Sequence, residues 1–278
     1  MKLPAALCLL VLAALLALSC GPGAESSRPA AGETKEALYQ RGHALYRTMD
    51  FPAAEENLRR AIAMDSAYVD ALVDLASLTY DQGVREEGEA NPRRLERFRS
   101  SRALFARAEG LGYDDAAGYE RLCELSVALG DERGFLKYAR KSSERYPFDR
   151  QSYNLGLAYF GVGDWQGVVK SQKEASEKFK QSPYLGAFYR QLGRAYMKLD
   201  RDQTAERTFI AGVAAVDARL AALRTQAVGG RAEDTRRLTD DKIGMLLLLK
   251  RLHMTYKAAE KLEQVERQLR DAGYTKQP

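Results

Sequence analysis

The sequence predicts an all-α chain, an α-solenoid in which helix pairs stack as a right-handed superhelix. Three observations carry this expectation. From Thr34 onward apolar residues recur at three- and four-residue spacing, in segments of about 12–16 residues, with no alternating β-branched run to compete. Short breaks separate the segments, and two are nearly identical, Leu129-Gly130-Asp131 and Val162-Gly163-Asp164. A small residue returns at Gly42, Ala76, Cys123, Gly156 and Gly193, at intervals of 34, 47, 33 and 37 residues.

Composition removes several alternatives. The chain has 278 residues, of which 45% are hydrophobic and 29% charged, enough apolar material to bury a core and too much for wholesale disorder. Eight prolines and three cysteines exclude a collagen-like chain and a disulfide scaffold. Two histidines make a His-built metal centre improbable. No H-E-x-x-H, G-x-S-x-G, paired-Cys or EF-hand pattern occurs, so neither catalysis nor a metal or cofactor is expected.

The first element is an address. Lys2 supplies a positive start, an uncharged apolar run follows from Ala5 to Leu18, and Ser19-Cys20-Gly21-Pro22 ends it. This is the length of a secretory signal and too short for a spanning helix. Leu16-Ala17-Leu18-Ser19-Cys20 resembles the lipobox of bacterial lipoproteins. That resemblance implies removal of residues 1–19 and a diacylglycerol on the Cys20 thiol, with the new amine often acylated. Gly21 in place of Asp implies, by the same resemblance, sorting to the outer membrane facing the periplasm. With Cys8 removed and Cys20 lipidated, Cys123 stands alone and reads as a small buried thiol.

Residues 20–34 follow as a tether. The stretch from Gly21 to Thr34 is small, polar and turn-prone, and fully extended it reaches at most ~45–50 Å.

The repeating body covers residues 35–217. Aligned on the small slot, the preceding position holds Arg41, Leu75, Leu122, Leu155 and Leu192, and the large one after it Leu45, Thr79, Ser126, Tyr159 and Tyr196. The second helix answers with Ala54, Ser101, Phe135, Val168 and Ala205, then Leu58, Phe105, Ala139, Gln172 and Phe209, then Ala61, Ala108, Ser142, Ala175 and Gly212. The long second interval fits an insertion at Val84–Arg94. On these slots the chain resembles the tetratricopeptide repeat (TPR) family, in about five helix pairs. Small residues let one helix lie close on the next and large ones fill the adjacent hollow, so every slot residue reads as core. Residues 218–278 break the register. The pattern there predicts a prolonged last helix to Thr225, a loop over Val228–Asp234, and two divergent capping helices, about Thr239–Met254 and Ala258–Asp271, the last with a solvated charged face.

The resemblance implies a concave face lined by first helices. Helical phase places Tyr39, His43, Tyr46 and Arg47 there in the first unit, and Ser77, Tyr80 and Asp81, with Val73, in the second. Glu120 and Glu124, with Val127, follow in the third, Tyr153 and Phe160, with Leu157, in the fourth, and Arg190, Arg194 and Lys198 in the fifth. The set is aromatic at one end, acidic in the middle and basic at the other. Tyr and Arg are the residues that most often carry interface energy. The run Arg93–Arg102 holds five arginines against one glutamate and reads as a solvated helix face.

The function expected is a membrane-anchored, non-catalytic protein-interaction scaffold for a cell-envelope assembly. Its partners are cell-envelope proteins, with the membrane reached through the lipid. Nucleic acid is not expected, and a homo-oligomer is compatible with such a stack. The alternative is an accessory lipoprotein that partners a periplasmic solute-binding protein in transport. An enclosed apolar pocket would favour that alternative over an open groove.

Overall fold

The computed structural model describes residues 33–225 and 231–275. The signal, Cys20 and most of the tether lie outside that range. Twelve helices occur among the described residues, and no strand. They are α1 (Lys35–Arg47), α2 (Phe51–Met64), α3 (Val69–Arg85), α4 (Pro92–Gly110), α5 (Ala116–Ala128), α6 (Glu132–Arg145), α7 (Asp149–Gly161), α8 (Trp165–Lys178), α9 (Leu185–Lys198), α10 (Asp202–Thr225), α11 (Arg231–Thr255) and α12 (Ala259–Asp271). None is long and apolar enough to cross a membrane. The chain divides into two compact units, one up to Asp74 and one from Leu75.

The breaks are helix punctuation. The residue seven after the small slot takes a left-handed backbone in four turns: Met49 (φ 64°), Gly130 (φ 67°), Gly163 (φ 74°) and Asp200 (φ 54°). Glycine does this without a Cβ penalty. The next residue caps the following helix: Asp131 Oδ1 accepts from Gly134 N at 2.8 Å and Asp164 Oδ1 from Gly167 N at 2.8 Å. Asp50 plays the same part for α2.

In the first unit α1 packs on α2, and a Cβ at Gly42 would press on the Leu58 side chain. Leu38, Ala54, Leu58 and Ala61 are fully buried. Arg41 departs from its expected core slot: it is exposed and pairs with Glu33 at 2.6 Å.

In the second unit consecutive helices from α4 to α12 pack pairwise, and α9 also touches α7 and α11. The slots meet as the repeat requires. A Cβ at Gly193 would overlap the Phe209 ring, and one at Gly156 would overlap Gln172. Phe209 and Phe188 are fully buried, and each such ring contributes ~1.5–3 kcal/mol. The insertion is absorbed by helix growth. α3 and α4 run longer than the helices of the units on either side and meet where Gly83 lies against Phe98 and Ser101 Oγ donates to Ala76 O at 2.7 Å.

In the C-terminal region α10 runs on to Thr225, as the pattern predicts, while residues 231–234, expected as loop, already belong to α11. Lys257 (φ 53°) repeats the left-handed turn, so α11 and α12 form a sixth helix pair. Counting back seven residues puts Lys250 in the small slot, and the large slot of α12 holds Glu266. The two meet at 2.5 Å, an ion pair where other units use a small residue and a large one. That substitution hid the sixth unit from slot matching. The charges of α12 are not all a solvated face either: Lys261 reaches Glu206 of α10 at 2.7 Å. His253 is buried and bonds Glu206 through Nε2 at 3.0 Å.

Candidate interaction groove

In the first unit the expected face is tied up locally. Tyr39 packs on Tyr68 with ring centroids 5.3 Å apart and on His43 at 5.8 Å. Burial pushes the Tyr39 hydroxyl up to about 12. His43 Nδ1 lies 2.7 Å from Asp74 Oδ2, and burial raises that carboxyl above its ordinary range. Tyr46 packs on Phe51, and Arg47 is exposed in the last turn of α1.

In the second unit α3, α5 and α7 bring the middle of the set together. Tyr80 stacks on Phe98 at 5.5 Å, the Arg121 guanidinium lies 3.7 Å over its ring, and its hydroxyl donates to Glu124 at 3.3 Å. Arg121 also pairs with Glu124 at 2.8 Å, and Arg150 pairs with Glu120. The acidic middle is therefore neutralised by two arginines that helical phase did not place on the face. Ser77 and Asp81 are half-buried on α3. Cys123 is buried below this patch; burial, with Glu120 and Glu124 nearby, pushes its thiol up to about 12, the opposite of an activated nucleophile.

The basic end is built differently. Arg190, Arg194 and Lys198 step along one face of α9 at four-residue intervals, a rise of ~6 Å each. Arg190 pairs with the buried carboxylate of Asp241 on α11 at 3.0 Å. Two glycines allow this: a Cβ at Gly186 would collide with Asp241, and one at Gly244 would crowd Arg190. Desolvation pushes Asp241 up to about 6 despite the arginine. The Arg194 guanidinium lies 4.4 Å over the Phe160 ring, which meets Trp165 edge to face at 4.8 Å, and Lys198 lies 5.8 Å from that Trp165 ring. Burial, with Arg190 beside it, lowers the Arg194 pKa. Tyr153 stacks on Tyr184 at 4.8 Å next to Arg190 and Asp241.

Phe160, Arg190, Arg194 and Lys198 border a groove of about 700 Å³ between α7, α9 and α11. Its other wall comes from the sixth unit: Gly244, Leu247, Leu248 and Arg251 of α11. Helical phase alone did not place that helix on the face. The available signal was the apolar run Ile243–Leu249 with Arg251 four residues after Leu247, a face of the same phase as Arg190 and Arg194. Arg194, Lys198 and Arg251 make no ion pair among the described residues. Of the run Arg93–Arg102, Arg94 lies over Phe98 at 5.3 Å and Arg102 pairs with Asp131 at 2.8 Å, so part of it serves packing. No group of three or more His, Cys, Asp or Glu that could hold a metal occurs among the described residues.

No protein-family model matches the sequence, and no curated protein matches it either. Similarity appears among solved structures. YrrB, described as a TPR protein with an unusual peptide-binding site, aligns with a TM-score of 0.52 at 13% identity, over 64% of this chain and 84% of YrrB. MamA aligns with a TM-score of 0.53 at 16% identity, over 71% of this chain and 98% of MamA. At such identities the likeness is one of architecture, and it agrees with the slot geometry: the chain has the TPR fold.

Proposed function

We propose that this protein is a non-catalytic interaction scaffold, held at a membrane by lipid on Cys20 and serving a cell-envelope assembly, with the outer membrane's periplasmic side as its place. The observation that carries the scaffold reading is the groove between α7, α9 and α11. It is open, and it sets apolar side chains beside three cations that make no ion pair among the described residues. An open charged groove suits a segment of another protein better than the enclosed apolar cavity that a solute-transport accessory calls for. That YrrB has a peptide-binding site on the same architecture supports this reading.

The lipid concentrates the groove at a surface, which raises its effective concentration for a partner held there. Two or three acyl chains anchor far more firmly than one, at ~0.8 kcal/mol per buried CH₂. The tether then lets the helical stack stand clear of the headgroups. Cys20→Ser tests the anchor: the variant should leave the membrane fraction, and unchanged tight fractionation would remove the lipoprotein reading. Photo-crosslinking from positions 160, 194 and 247 in cells of the native host tests the scaffold. A discrete protein adduct is expected at these positions, and its absence at all three would remove the reading.

A further inference from the structure

We infer that the groove between α7, α9 and α11 takes an acidic protein segment carrying a bulky apolar side chain beside its carboxylates. The inference rests on the scaffold reading and specifies its partner. On the second unit several first-helix charges find partners within the chain: Glu120 with Arg150, Glu124 with Arg121, Arg190 with Asp241. Among the described cations of α9 and α11, Arg194, Lys198 and Arg251 make no ion pair, and all three border one groove.

Arg194, exposed as a residue, has its guanidinium set among other groups. Its guanidinium is drawn against Phe160, has Arg190 as a like-charged neighbour, and is partly stripped of water with no anion in return. A partly desolvated cation without a counter-charge is unfavourable, and a carboxylate from outside relieves it. The guanidinium is also suited to bind a carboxylate with two parallel hydrogen bonds.

The apolar part of the inference comes from α11. Leu247 is 37% exposed and projects into the same groove as Leu248 and Phe160. An apolar side chain seated there removes that surface from water while the acids engage the rim. A uniform polyanion fits poorly, because Asp200 and Asp202 border the groove where α9 ends. A nucleic acid strand would set phosphates against those two carboxylates. A mixed protein segment places its acids at Arg194 and Arg251 and leaves that end neutral.

Fluorescence anisotropy on the purified full chain tests this. The probe is a short fluorescein-labelled peptide of glutamates interspersed with leucines. The comparison probes are the same peptide with glutamine for glutamate, the same with serine for leucine, and single-stranded oligo-dT. Saturable binding of the acidic leucine peptide is expected, weakened by added salt and about tenfold or more by either comparison change. Arg194→Glu with Arg251→Glu should weaken it at least tenfold, Leu247→Ala severalfold, and Arg93→Glu on exposed α4 not at all. Arg194→Gln with Arg251→Gln serves if the double reversal does not fold. Absence of saturable binding, equal affinity in the double variant, or oligo-dT binding as tightly as the peptide would each overturn the acidic-segment inference. Those results leave the scaffold reading standing if crosslinking at position 194 still yields a discrete adduct, and both fall if no adduct forms.

Discussion

Two stretches of the second unit occupy the same helical positions and end in opposite electrostatic states. Around α3, α5 and α7, Tyr80, Glu120 and Glu124 are matched by Arg121 and Arg150, and the patch is neutral and self-contained. Around α7, α9 and α11, three cations make no ion pair among the described residues and stand beside exposed Leu247. Both patches rest on the same kind of slot packing, Cys123 in one and Gly193 in the other. Position on a first helix therefore puts a residue on the face, and the neighbouring helix decides whether its charge is spent. The unspent end is the one available to a partner.

The largest expected effect breaks the support under the charged end. Phe209→Ala removes a fully buried ring from the Gly193 slot and should cost ~3–5 kcal/mol in urea denaturation, with loss of peptide binding. A cost below ~1 kcal/mol would mean that the groove does not depend on that slot.

Asp241 gives the next effect. Its folded pKa of about 6 lies above the ~3.9 of an unfolded chain, so the folded state binds the extra proton between those values. Stability from this group rises as pH falls from above 6 towards 4 and is lost as pH rises again, by ~2–3 kcal/mol in all. Asp241→Asn should abolish that component, read as the difference between the two pH–stability curves. The same variant removes a negative charge from beside Arg190 and should tighten the acidic peptide about threefold at neutral pH. Weaker binding would mean that the Arg190–Asp241 pair shapes the groove more than it screens it.

Two smaller effects concern the neutral patch. Arg150→Ala should cost less than ~1 kcal/mol, since its pair with Glu120 is partly exposed, and should leave peptide binding at the other end unchanged. Cys123 should react with a thiol reagent at pH 8 only on unfolding, because the folded thiol is buried and neutral there. Rapid labelling of the native chain would place the slot nearer the surface.

Much of the fold was legible in residue types. The small slots at Gly42, Ala76, Cys123, Gly156 and Gly193 are all buried, because close helix approach needs a short side chain wherever the pattern repeats. The breaks were legible for a similar reason: Gly-Asp is at once a left-handed exit and a side-chain cap. The last pair was legible as two helices but not in repeat register, because Lys250 and Glu266 replace a steric fit by an ion pair, and charged residues carry no apolar period. The neutral state of the middle was not legible because Arg121 lies one position after Glu120 and Arg150 one turn before Tyr153, and their long side chains reach across the face.

The sequence alone determined the helical period, the turn positions and the slots at which helices approach, since these follow from side-chain size and backbone freedom within a few turns. Tertiary structure decided which charges are cancelled, that α11 supplies a wall of the groove, and that Arg190 is bound to Asp241. Those outcomes depend on ångström-scale distances between residues as far apart as Arg190 and Asp241, and electrostatic pairing at that range is set by packing.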